Sequence, residues 1–340
     1  MSGTRTVRLF DGTARQWNDF VAQAGGSTFH EREIGDVLES VYGHEQLYLA
    51  AYDEGRLAGV LPLVRVHSRV FGEHVVSLPY FSYGGPLGDA ASEQALADAA
   101  IALSGNAKLL ELRSRQPVAT RMRVSNRKLT VVLPIVPGDY EATFKRFDSK
   151  LRSQVRRADK EGVVVKFGDE CLADFQAVYD EHMRDLGSPA HGADFFSRLL
   201  AALGSRMWVG VAYLGDVAVA GGIAIENRNE VEITWASSLR RYSKLSPNMA
   251  LYGAFIRRSC EQQFSDFNFG RCTAGSNTHR FKLQWGAMDE ALAWQQYSAR
   301  NIVSPPSADS AHFQLAARLW QRLPVSITKR IGPLVMAGIP

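Results

Sequence analysis

Two distant stretches of this chain read as the same piece of structure. Leu47–Leu63 is LYLAAYDEGRLAGVLPL and Met207–Ile225 is MWVGVAYLGDVAVAGGIAI. Each is an apolar run, a turn of acidic residues and glycine (Asp53-Glu54-Gly55 or Gly215-Asp216), and a second apolar run, which is a hairpin signal. Helical patterns precede each hairpin, and a further strand, a helix and a strand follow it. Self-similarity at this scale points to a duplicated α/β unit, so the chain is expected to fold as two units of one plan. At 340 residues it is long enough for two ordinary domains.

The elements can be placed from periodicity and turn residues. The first unit reads as strand 7–10, helices 13–24 and 34–42, strands 47–52, 57–66 and 74–80, helix 92–104, and strands 108–113 and 128–135. Pro134 and Pro137-Gly138 mark a boundary, giving a first domain over 1–138 and a second over 139–300. The second opens with one basic linking helix, 140–161, and a strand at 163–167. Helices 172–186 and 194–203, a meander at 207–214, 217–226 and 230–237, helix 248–263 and a closing strand 291–297 complete it. Residues 301–340 form a linker, SPPSADS at 304–310, and an amphipathic tail with Phe313, Leu315, Ala316, Leu319, Trp320 and Leu323 at helical spacing.

The chemistry concentrates between Asp266 and Gly286, DFNFGRCTAGSNTHRFKLQWG. Phe267 and Phe269 alternate with Asn268 as in a strand, which Gly270 is expected to break. A small polar loop leads to Ser276, an N-cap residue type, and to a short helix. Thr278 and Lys282 are four apart and share a helical face. A strand end, a helix start and a lysine one turn in could cradle a developing negative charge. Arg271 at the strand end suits a carboxylate or phosphate. The strand-to-helix junction Trp235–Met249 lacks a glycine-rich phosphate loop and carries Arg240, Arg241, Tyr242, Lys244 and a Ser246-Pro247-Asn248 helix start instead.

These motifs resemble those of the FemAB-like transferases. Phe269-Gly270, Phe281-Lys282 and Trp285-Gly286 stand where that family has a strand, an "FG" turn and a late "FK…WG" helix. Tyr83-Gly84-Gly85-Pro86 is similar to its "YGGP" loop, and the stretch from Lys150 through Arg156-Arg157-Ala158 to Gly162-Val163 is similar to its basic segment. The resemblance runs over roughly residues 28 to 300 and is nearest to the group found with exosortase and exopolysaccharide loci. It implies an α/β fold of two tandem GNAT-like (acyl-CoA N-acyltransferase-like) domains, with mixed, mainly antiparallel sheets flanked by helices. It implies an acyl or aminoacyl transferase acting on a cell-envelope glycan, or on a peptidoglycan-type or exopolysaccharide precursor. The donor would be aminoacyl-tRNA or acyl-CoA, with no tightly bound cofactor. Lys282 would stabilise the oxyanion. Arg271, Ser276 and Thr278 would orient the donor, Tyr83 and Trp235 would border the acceptor, and Phe281, Tyr242, Asn248, Gly84 and Gly85 would also bind substrate. Lys150, Arg152, Arg156 and Arg157 would contact a polyanion such as tRNA.

Composition narrows the alternatives. A net charge of +4 does not suggest DNA as a partner. Three cysteines, Cys171, Cys260 and Cys272, lack metal-ligand spacing and fit a reducing compartment. The scattered histidines suggest neither a metal site nor a catalytic triad. With no apolar leader and no run of about 18 apolar residues, the expected place is the cytoplasm, peripheral at the inner face of the membrane if residues 311–335 contact it. Two other readings stand beside the transferase: an acyl-CoA-dependent N-acyltransferase, and a non-catalytic binding module of the same fold.

Overall fold

The computed structural model describes residues 5–68, 71–125, 127–299 and 311–340, and the side chains of 311–313 are not described. The linker expected at 304–310 lies outside the described residues. The chain divides into two compact units.

The first unit begins with β1 (Thr6–Leu9), α1 (Ala14–Gln23) and α2 (Arg32–Tyr42). Thr13 and Gln16 close a capping box at the start of α1, and Gly43 ends α2 in the left-handed conformation that glycine tolerates. Then come β2 (Glu45–Asp53), β3 (Arg56–Ser68), β4 (Gly72–Val76), β5 (Leu87–Gly88), α3 (Ala90–Ser104), β6 (Leu109–Ser114) and β7 (Arg123–Ser125). β1 to β4 form an antiparallel meander, and β4 then pairs in parallel with β6. Alternate residues of β2, β3 and β6 pack with Leu96, Ala97, Ala100 and Ile101 of α3 into an apolar core.

The second unit contains β8 (Lys128–Pro134), α4 (Tyr140–Lys145), α5 (Ser149–Lys160), β9 (Val163–Phe167), α6 (Leu172–Leu186), α7 (Ala193–Leu203), β10 (Met207–Leu214), β11 (Val217–Asn227), β12 (Glu230–Ser238), α8 (Pro247–Glu261), β13 (Asp266–Thr273), α9 (Asn277–Leu283) and β14 (Met288–Ala291). Its sheet runs β14-β8-β13-β12-β11-β10-β9. β9 to β12 are antiparallel, whereas β12 and β13, joined through α8, are parallel. This repeats the plan of β2-β3-β4-α3-β6.

Four details differ from the sequence expectation. β15 (Ala293–Tyr297), expected to close the second unit, sits between β6 and β7 in the first sheet. β8, expected in the first unit, instead lies between β14 and β13 in the second sheet, so the division falls at Leu129 and Thr130, with β15 returning to the first unit. The helix expected over 140–161 is two helices, because extended Asp148 accepts a hydrogen bond from Leu151 N (2.7 Å) and starts α5 afresh. The strand expected to reach Tyr80 stops at Val76, and Leu78 and Tyr80 adopt positive φ.

α10 (Ala311–Gln321) and α11 (Val325–Met336) pack on α6 of the second unit. No helix among the described residues is long and apolar enough to cross a membrane.

Candidate functional site

The parallel ladder between β12 and β13 is short. It pairs Glu230 with Asp266, Val231 with Phe267 and Glu232 with Asn268, and goes no further. Gly270, two residues on, has φ +70, and a Cβ there would lie 2.8 Å from the Ile233 carbonyl oxygen. The strand does not break at Gly270 as expected but bends and continues to Thr273. The carboxyl end of a parallel ladder is the usual place for a binding crevice in an α/β sheet.

α9 follows β13 and packs on it. Its N-cap is Ser276, as expected, accepting from His279 N (3.1 Å). Phe281 and Trp285 anchor the helix against Tyr252 and Phe269. That packing turns Lys282 inward, leaving it 3% exposed. Its Nζ donates to Gly270 O (2.6 Å) and Arg271 O (3.0 Å). An ammonium has three hydrogens, so one remains beyond these two bonds. Burial pulls the Lys282 pKa down from 10.5 to about 8, opposed by Cys272 and Glu232 and assisted by Arg271. Lys282 therefore stays largely protonated at neutral pH while being easier to deprotonate than a surface lysine.

A polar ladder holds this geometry. Thr130 Oγ1 donates to Asn268 Oδ1 (2.5 Å), and the same oxygen accepts from Gly270 N (2.8 Å). Asn268 Nδ2 reaches Glu230 Oε1 (3.4 Å). The backbone at Gly270 is thus fixed at its N–H by Asn268 and at its carbonyl by Lys282. Glu232, 0% exposed on β12, is close enough to support the charge on Lys282. Glu230, Glu232, Asn268 and Thr130 were missed at the sequence level. The available signal was the run Glu230-Val231-Glu232 in an otherwise apolar meander, since buried acids are uncommon without a role.

Arg271 is half-buried, and its charge is felt by His191 of the α6–α7 loop. Burial, with Arg271 adding to it, drives the His191 pKa down to about 3, so this imidazole is neutral. His191 stacks on Phe195 (4.3 Å) and meets Trp235 edge-on (6.0 Å). Trp235, the aromatic expected to border the acceptor, also packs on Phe195 and Phe196. Buried Asp180 accepts from Gln176 (2.7 Å), which also donates to His191 O (3.1 Å), and burial raises the Asp180 pKa.

The other expected residues are more scattered. Thr278 shares α9 with Lys282 but is exposed. Tyr242 lies in a short 3-10 turn, Arg240–Leu245, beneath Arg241, which pairs with Glu181. Asn248 is in the first turn of α8, which starts at Ser246-Pro247 as expected; Ser246 has φ +56 and forms no side-chain cap. In the first unit Tyr83 is buried against Phe29, beneath Arg115. Gly84 donates to Arg113 O (2.9 Å), and a Cβ on Gly85 would lie 2.0 Å from Ser114 Oγ. The close approach of this loop to the end of β6 accounts for Gly85, whereas a Cβ on Gly84 would lie 2.8 Å from the Leu78 side chain. On the basic helix Lys150, Arg156 and Arg157 are exposed, and Arg157 faces Glu161 (3.7 Å). Arg152 instead donates to Lys145 O (3.0 Å) and Phe147 O (2.7 Å), closing the end of α4. No group of metal-binding side chains occurs among the described residues.

Residues 145–283 match the family model of the acetyltransferase (GNAT) domain. No curated protein sequence matches the chain. Among solved structures, FemX aligns over 93% of this chain and 100% of its own at 13% identity, with a TM-score of 0.63. L-PGS from Bacillus licheniformis aligns over 86% of this chain and 98% of its own at 13% identity and 0.52. A tandem GNAT protein from the clavulanic acid biosynthesis pathway aligns over 87% and 98% at 11% identity and 0.50. At these identities the likeness concerns fold. The fold is GNAT-like α/β, with mixed, mainly antiparallel sheets flanked by helices, and its neighbours include tandem-GNAT proteins.

Proposed function

We propose that this chain is a FemAB-like transferase that moves an aminoacyl or acyl group from an activated ester or thioester to an amine or hydroxyl of a cell-envelope glycan or glycopeptide precursor. The observation that carries this reading is Lys282, a buried cation held by the Gly270 and Arg271 carbonyls just beyond the last β12–β13 pair. Attack on an acyl carbonyl places negative charge on its oxygen. A fixed donor in a site of low dielectric contributes most at that moment, worth about 3 kcal/mol in comparable oxyanion sites. The remaining N–H of Lys282 would meet that oxygen. The acceptor forms the new bond to carbonyl carbon and loses a proton, and the ester or thioester bond to the donor breaks. Arg271, with Ser276, Thr278 and Phe281 near it in sequence, would orient the donor. Lys150, Arg156 and Arg157 would follow the phosphates of a tRNA donor.

Fold likeness to FemX supports the aminoacyl form of this reading, as does the 3-10 turn at Arg240–Leu245 in place of a glycine-rich phosphate loop. The GNAT match over 145–283 favours a second reading in which the donor is acyl-CoA. The two separate in one experiment. The protein is incubated with a UDP-sugar peptide precursor and either a labelled aminoacyl-tRNA pool or labelled acetyl-CoA, and label in the precursor is counted. Transfer from tRNA supports the first reading and transfer from acetyl-CoA the second. Consumption of neither donor, with this and other envelope acceptors, sinks both and leaves a binding module.

A further inference from the structure

The two C-terminal helices carry a surface that transfer chemistry does not use. α10 sets Ala317 against Gly187, and Gln321 Nε2 donates to Asp185 O (3.1 Å). α11 seats Gly332 against the Ala190 backbone and Pro333 beside Gly192. These contacts use one side of each helix, and the other side faces solvent. On that side Leu315, Arg318, Leu319 and Arg322 follow i, i+3, i+4, i+7 spacing along α10 and the turn after it. Leu315 and Leu319 are 57% and 55% exposed. Along α11, Ile327, Arg330, Ile331 and Leu334 repeat the spacing, and Leu334 is 77% exposed. Arg318, Arg322 and Arg330 are exposed among them. Lys329 stands apart from the stripe, near Asp180. No acidic residue follows Asp309 in the sequence.

An isolated exposed leucine is ordinary, but apolar residues interleaved with arginine on two helices, without an acid among them, form a pattern of apolar anchors and cations. We propose that these outward stripes of α10 and α11 dock on an anionic lipid bilayer, the leucines entering the acyl boundary and the arginines meeting headgroup phosphates. Amphipathic interfacial helices bind in this way, and guanidinium groups suit phosphate oxygens. Charge decides against a second copy of the chain as the occupant, because self-pairing of these stripes would bring arginine against arginine. The proposal does not depend on which donor or acceptor the site in the second unit uses.

The test is flotation of the full chain with vesicles of phosphatidylcholine alone and of phosphatidylcholine mixed with phosphatidylglycerol. The protein should float with the mixed vesicles, remain behind with the neutral ones, and bind less as salt rises. A combined Arg318→Gln, Arg322→Gln, Arg330→Gln variant should lose partitioning on the order of a hundredfold. A Leu315→Ser, Leu319→Ser, Leu334→Ser variant should lose flotation while keeping the wild-type melting temperature, since the side chains it changes are exposed. Absence of flotation with mixed vesicles overturns the proposal. So does flotation that both variants retain, or self-association that the leucine variant abolishes in place of lipid binding.

Discussion

Lys282 is surrounded by opposing influences: burial favours its neutral form, while Glu232 and Cys272 favour its charge. This balance makes its role measurable. Lys282→Met, close in size but uncharged, should lower the transfer rate by about 10²–10³-fold without unfolding the protein. In the wild type, activity that needs the ammonium should fall as pH rises through about 8. Removing the neighbouring charge with Glu232→Gln should move that fall to lower pH, readable from the pH–rate profile. Stability offers an independent check. The folded pKa of Lys282 lies below the unfolded value of 10.5, so between about 8 and 10.5 the unfolded chain holds more of this proton. Wild-type stability should therefore gain on Lys282→Met by about 1.4 kcal/mol per pH unit across that window, in urea titrations. Lys282 was legible in the sequence through Phe281-Lys282 and the i, i+4 pattern of α9. Its supports were not, because Glu232, Asn268 and Thr130 come from three different strands and meet only when the sheet forms.

At the scale of elements, the two units use the same junction differently. In the second, β12 and β13 part after Glu232 and Asn268, and Lys282 enters. In the first, β4 and β6 part after Val76 and Glu111. There the chain's own 77–86 loop is tied to β6 through Ser77 N to Glu111 O (2.9 Å) and Gly84 N to Arg113 O (2.9 Å). A buried Glu111–Arg113 pair (2.8 Å) stands where the second unit has its lysine site. One copy of the duplicated unit thus ties its own loop to this strand end, and the other holds the site proposed for the chemistry. Gly270 should be intolerant of a side chain: Gly270→Ala would strain a φ of +70 and press on the Ile233 carbonyl, costing about 1–3 kcal/mol in chemical denaturation. The hairpins and helices were legible because their periodicities and turns are local. The break between α4 and α5 was obscured by an unbroken run of helix-compatible residues, and Asp148 decided it as a cap. The strand course through Gly270 was also hidden, since glycine ends a strand as readily as it bends one.

For the whole molecule, the duplication was readable and the exchange of strands was not. β15 follows the second unit in sequence yet pairs with β6 through Ala293 to Tyr297 in the first sheet. Sequence adjacency favoured a closing strand, and nothing in AWQQY names its partner. A chain cut to residues 1–138 lacks the strand between β6 and β7, and it should show no cooperative melting transition by circular dichroism. The measurement that bears most directly on the account is single-turnover transfer of label from a charged donor to an envelope precursor, in wild type and Lys282→Met across pH 6 to 10. The account predicts transfer by the wild type that declines above about 8 and a loss of about 10²–10³-fold in the variant. A variant that transfers at the wild-type rate would contradict it.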